Sequence, residues 1–147
     1  MTIAVVRPDG TWHVRPETSH KRDLDEFYLP DGFEAAEVCN CLYLRLIKTG
    51  KAIGEKFVGR YCDSVGRGLS IYCQPGDVSV VDCSTILYTD NLRPASELPE
   101  EDSRRIAEGI CSVSRLMTLK KGDLMLFENG ESATLRQGET FGKLTVK

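Results

Sequence analysis

The stretch from Glu37 to Cys73 does most to restrict the folds open to this chain. Along Glu37-Val38-Cys39-Asn40-Cys41-Leu42-Tyr43-Leu44-Arg45-Leu46, one side of an extended chain carries Cys39, Cys41, Tyr43 and Arg45. The other carries Val38, Leu42, Leu44 and Leu46. That period of two predicts a β-strand. Gly50 marks a turn, and Phe57, Tyr61 and Val65 recur at helical spacing over Glu55–Val65, with Gly66 and Gly68 placed to end a short helix. Leu69-Ser70-Ile71-Tyr72-Cys73 predicts a second strand, closed by the breaker Pro75-Gly76-Asp77. Strand, glycine turn, helix and strand follow in order, and Cys39 shares a face with Cys41.

The flanking segments are shorter. Ile3-Ala4-Val5-Val6 and Thr11-Trp12-His13-Val14 predict a hairpin around Pro8-Asp9-Gly10. Arg15 to Glu26 is polar and reads as a surface connector, with His20 solvated in it and His13 on the surface of its strand. Further strands are expected over Asp77–Cys83 and Ile86–Leu92. Pro94 to Pro99 links to a helix: Glu100, Glu101 and Asp102 complement its N-terminus, and Ile106, Ile110 and Val113 form its apolar stripe. A strand through Leu124-Met125-Leu126 follows.

A chain of 147 residues with 41% hydrophobic content can bury one ordinary core, which predicts a single domain. Its net charge of -3 is spread without single-sign runs, so no nucleic-acid surface is expected. No apolar run reaches membrane-spanning length and Met1–Pro8 lacks the order of a secretion signal, so the expected address is cytoplasmic, with no membrane partner. The six cysteines have no Cys-x-x-Cys spacing, which predicts reduced thiols.

In these residues the chain resembles the fumarylacetoacetate hydrolase-like family. That family carries Glu-x-Glu on a strand, a Gly-Lys-x-Ile turn, an Arg-Tyr helix and an Asp that completes a divalent metal site. Phe27-Tyr28-Leu29-Pro30-Asp31, Gly50-Lys51-Ala52-Ile53, Arg60-Tyr61 and Asp63 match in order. Arg7-Pro8-Asp9 is similar to a Lys-Pro-Asp of the family, Thr118–Leu124 to its Thr-Leu-x-x-Gly-Asp-Leu, and the terminal Leu135–Leu144 to its Leu-x-x-Gly-Asp-x-Val ending. Laid without gaps, Cys39 and Cys41 fall on the two glutamates and Pro75 on the aspartate. Phe127-Glu128-Asn129-Gly130 stands where the family has a Thr-Gly-Thr-Pro loop against its substrate.

The resemblance implies an α+β, mainly β fold: a compact mixed β-roll like the family's C-terminal domain, with two helices. It implies one truncated domain over residues 1–147, without the family's N-terminal lid segment and its long insertion after the second strand. It also implies a homodimer, or association with a paralogue. The family uses magnesium, manganese or calcium, which demand oxygen ligands. With Cys39, Cys41 and Pro75 in place of three carboxylates, no such cofactor and no catalytic residue are expected. What remains is a degenerate pocket for a small molecule at Cys39, Cys41, Cys73, Phe127, Glu128 and Asn129.

The thiols admit other chemistry. Cys39, Cys41 and Cys73 could hold zinc or copper(I), although a closed zinc site needs a fourth ligand that the sequence does not offer. A nucleophilic cysteine needs a neighbouring base. A Cys39–Cys41 disulfide would be strained on one strand. Small hydrophobic filler is the preferred reading, since free cysteine is among the most buried residue types. The expected function is therefore a non-catalytic binding or oligomer-partner protein. The alternative is a divergent hydrolase, decarboxylase or isomerase acting on a small keto acid.

Overall fold

Period-two alternation along two long segments builds the centre of the molecule. The computed structural model describes residues 1–73 and 83–147. The expected strand over 77–83 and the position of Pro75 lie outside them, except that Cys83 opens a strand. The strands are β1 (Thr2–Val6), β2 (Trp12–Pro16), β3 (His20–Arg22), β4 (Glu26–Phe27), β5 (Ala35–Arg45), β6 (Ser64–Tyr72), β7 (Cys83–Pro94), β8 (Leu124–Arg136), β9 (Thr140–Phe141) and β10 (Leu144–Val146). Among the described residues one α-helix, α1, spans Glu100–Leu116. The main sheet runs β2-β1-β8-β5-β6-β7-β3 and mixes parallel with antiparallel pairs, and β4-β10-β9 form a small second sheet.

The main sheet is curled. Arg15 on β2 donates from Nη1 to Ser84 O and Thr85 Oγ1 on β7, both at 2.9 Å. Four strands separate β2 from β7 in the sheet. At a spacing of about 4.8 Å per strand, a flat sheet would hold them about 24 Å apart, far beyond the reach of one side chain. The curl gives the sheet an inside and an outside. Ile3, Val5, Cys41, Tyr43, Leu87, Leu124 and Leu126 meet on the inner face. On the outer face, Ala4, Val6, Leu44, Met125 and Phe127 pack against Ile106, Ile110 and Val113 of α1, the stripe expected from its spacing. Further along, Val38, Leu69, Ile71 and Ile86 lie under Leu144 and Val146 of the small sheet.

The architecture is the α+β, mainly β roll expected from the sequence. Two local expectations change. The first helix is a six-residue 3₁₀ segment, Glu55–Arg60, and Val65 already belongs to β6. With three residues per turn, Val58 is buried while Phe57 is exposed, and the four-residue stripe is not formed. Gly66 and Gly68 therefore sit inside a strand; a Cβ on Gly66 would lie 2.5 Å from the Tyr43 ring, so the missing side chain lets that ring lie flat. The connector from Arg15 to Glu26 is not all surface. It contains β3, which pairs in parallel with β7, and Arg15 is only 2% exposed. No helix among the described residues is long and apolar enough to cross a membrane.

Candidate functional site

The polar end of the inner face is assembled by register. Cys39 lies opposite Ser70, Glu37 opposite Tyr72, and Cys41 opposite Glu128. On β8 the alternation Leu124, Leu126, Glu128 carries a carboxylate inward directly after two leucines, and Glu128 is 1% exposed. Burying an unpaired carboxylate is strongly unfavourable, so its partners decide whether the arrangement stands. Glu128 Oε2 accepts from Ser70 Oγ at 2.8 Å and from the Tyr72 hydroxyl. Its Oε1 lies 3.1 Å from Arg7 Nε.

Two guanidinium groups complete the cluster. Arg7 reaches Glu37 as well, with Nη2 3.7 Å from Oε1, and its Cζ stands 4.5 Å from the centroid of the Tyr72 ring. Arg15 Cζ is 4.8 Å from the same centroid, and its Nη2 donates to Ser70 Oγ at 2.9 Å. Ser70 thus accepts from Arg15 and donates to Glu128. Among the described residues, Arg7 Nη1, Arg15 Nε and both ring nitrogens of His13 are buried with no hydrogen-bond partner, and His13 packs 5.9 Å from Tyr72.

Burial and charge set the protonation of this group. Burial, reinforced by Glu128, pushes the thiols of Cys39 and Cys41 well above the usual cysteine range. Burial also raises the Tyr72 hydroxyl, against an opposing effect of Arg15. On Arg7 burial acts downward, but Glu128 and Tyr72 together carry it above its ordinary value. His13 is pulled down to about 4, first by burial and then by Arg15 and Arg7. Near neutral pH the two thiols therefore stay protonated and the imidazole neutral.

Of the six expected pocket residues, the structure gathers Cys39, Cys41 and Glu128. Cys39 and Cys41 are unbridged thiols, and Cys39 donates to Glu37 Oε1 at 3.4 Å. Phe127 turns to the outer face and packs in the core beside α1, because neighbours on a strand point to opposite sides. Asn129 is exposed in a bulge where Cys39 pairs with Ser132 and Cys41 with Glu128; Gly130 takes φ +88° there and Asn129 Oδ1 accepts from Glu131 N. Cys73 is buried just beyond β6. Among the described residues no three His, Cys, Asp or Glu side chains gather as metal ligands.

Sequence reading missed Arg7, Arg15, Ser70 and Tyr72. Carrying the alternation onward, from Val5 to Arg7, from His13 to Arg15 and from Ser70 to Tyr72, was the available signal. His13 is likewise more than a strand-surface residue, since its ring nitrogens are enclosed. His20 stays at the rim, its Nδ1 2.7 Å from Glu17 O.

A hard divalent cation needs several free oxygen donors. Here Cys39 and Cys41 offer protonated thiols, and both oxygens of Glu128 are engaged by Arg7, Ser70 and Tyr72. The described residues do not fit such an ion.

No family model matches the sequence, and no curated protein matches it. Solved structures do. Fumarylpyruvate hydrolase from Pseudomonas aeruginosa, in complex with Mn2+ and pyruvate, superposes with a TM-score of 0.72 at 14% identity, covering 94% of this chain and 82% of that one. Maleylpyruvate hydrolase from Sphingobium sp. SYK-6, also with manganese and pyruvate, gives 0.71 at 14% identity over 93% and 63%. The 5-carboxymethyl-2-hydroxymuconate delta-isomerase of Mycobacterium smegmatis gives 0.70 at 14% identity over 93% and 71%. The chain has the fold of fumarylacetoacetate hydrolase-like proteins.

Proposed function

We propose that this chain is a relative of the fumarylacetoacetate hydrolase-like enzymes that works by binding, without their metal chemistry, as a cytoplasmic homodimer or as the partner of an active paralogue. One observation carries the reading: the buried Glu128 carboxylate and the Arg7 guanidinium occupy each other at 3.1 Å on the face where the family resemblance would place metal ligands. Electrostatic stabilisation of a developing oxyanion is usually the largest contribution to such catalysis, and a carboxylate already saturated by its own chain contributes nothing to it.

Association is supported by exposed apolar side chains that lie together. Ile47 is 42% and Leu92 53% exposed, and both line a groove of about 250 Å³ with Tyr43 and Leu87. Covering such side chains with a second copy removes apolar surface from water. A small ligand has room on the outer face, in a groove of about 290 Å³ between Tyr88, Leu69 and Phe141.

The test is an assay with the substrates named for the structural neighbours, fumarylpyruvate and maleylpyruvate, in the presence of Mn2+. The expected result is no turnover above buffer, with sedimentation velocity reporting a dimer. Metal-dependent cleavage would replace this reading with that of a divergent enzyme.

A further inference from the structure

We propose that Arg7 is the resident cation of the inner face: its guanidinium bridges Glu128 and Glu37 as a divalent ion would bridge two carboxylates, and so excludes such an ion. The inference rests on the metal-free reading above and gives the reason for it. Arg7 Nε is 3.1 Å from Glu128 Oε1 and Nη2 is 3.7 Å from Glu37 Oε1, so one planar cation spans carboxylates from two different strands. The Tyr72 ring supports it from one side, at 4.5 Å. A guanidinium matches carboxylate geometry and stacks on an aromatic face, which an ammonium does not do as well.

The backbone holds this cation in place. Arg7 follows β1, its N–H donates to Thr11 O at 2.7 Å, and its carbonyl accepts from Gly10 N at 2.9 Å. Asp9 closes the turn by accepting from Thr11 N and Oγ1 at 3.0 and 2.6 Å, while Gly10 takes φ +89°, a conformation that suits glycine. The guanidinium is therefore delivered to the carboxylates by a tied hairpin turn.

Charge counting agrees. Arg7 and Arg15 bring two positive charges to the cluster, and Glu37 and Glu128 bring two negative ones. An added divalent cation would leave an excess of two positive charges in a largely buried group. The oxygens that could receive it, those of Glu128, Glu37, Ser70 and Tyr72, become a hard donor set only when the guanidinium is gone.

Four forms of the full chain test this: wild type, Arg7→Lys, Arg7→Met and the double variant Arg7→Met/Glu128→Gln. Each is followed by thermal denaturation with and without Mn2+. Wild type and Arg7→Lys should show no Mn2+-dependent change in Tm. Arg7→Met should melt well below wild type, regain Tm on adding Mn2+, and regain most of it when Glu128→Gln removes the stranded carboxylate. If Arg7→Met does not fold alone, the same two questions are asked of its folding. Failure of either recovery overturns the inference while leaving the metal-free reading intact. A Mn2+ response in the wild type overturns both.

Discussion

Among the described residues the largest fully buried side chain is a charged one, Arg15. Its three hydrogen bonds, to Ser84 O, Thr85 Oγ1 and Ser70 Oγ, join strands that are far apart in the sheet order. Arg15→Ala should cost about 3–5 kcal/mol, the usual range for breaking a buried charged group from its partners, and Arg15→Lys should recover only part of it because one ammonium cannot copy the fork. Urea denaturation measures both. The cysteines differ from each other. Cys41 sits among Ile3, Val5, Leu124 and Leu126, so serine there should cost about 1–3 kcal/mol and alanine less. At Cys39 a serine hydroxyl can still donate to Glu37, so the penalty should be smaller. Stoichiometric zinc that disappears when both are replaced by alanine would contradict the filler role.

His13 supplies the pH dependence at the same scale. Its folded pKa of about 4 lies below the ordinary value of 6.5, so the unfolded chain takes up the proton more readily. The resulting stability is fully present above 6.5 and is lost as pH falls toward 4. His13→Phe should flatten the Tm profile across that window relative to wild type. An unchanged slope would show that the imidazole is not kept neutral by the fold.

At the scale of elements, legibility followed the range of the interactions that make each element. The first hairpin and α1 were readable because their patterns are local: an apolar run around Pro8-Asp9-Gly10, and Ile106, Ile110 and Val113 at helical spacing. The segment Glu55–Arg60 was oversized because spacing alone does not distinguish a 3₁₀ turn leading into β6 from a longer helix. Arg15 was placed on the surface because its burial depends on the curl that brings β7 over β2, and nothing near it in sequence reports that. Cys39 and Cys41 share a face as their alternation implies, with Glu128 opposite Cys41, while alternation turns Phe127 to the outer face and a bulge leaves Asn129 exposed. The packing of α1 on β8 provides a test of its own. A Cβ on Gly109 would stand 2.4 Å from the Phe127 ring, which is itself buried. Overpacking of about 1–3 kcal/mol should outweigh the gain of about 0.5–1 kcal/mol from replacing glycine in a helix, so Gly109→Ala should lower stability. A Gly109→Ala protein more stable in urea than wild type would show that α1 can lift off the sheet freely.

At the scale of the whole molecule, the roll has a helix-covered side, a side covered by the small sheet, and an interior whose polar end is neutralised from within. Its exposed apolar groove at Ile47 and Leu92 is where a second copy is expected to sit. Leu92→Glu should therefore shift a dimer toward monomer in sedimentation velocity without lowering Tm in proportion. The central claim is that the inner face carries its own cation and takes no metal. Calorimetric titration of the wild-type protein with Mn2+ tests it most directly: the account expects only weak, non-stoichiometric heats, and a single stoichiometric site of micromolar-range affinity would contradict it.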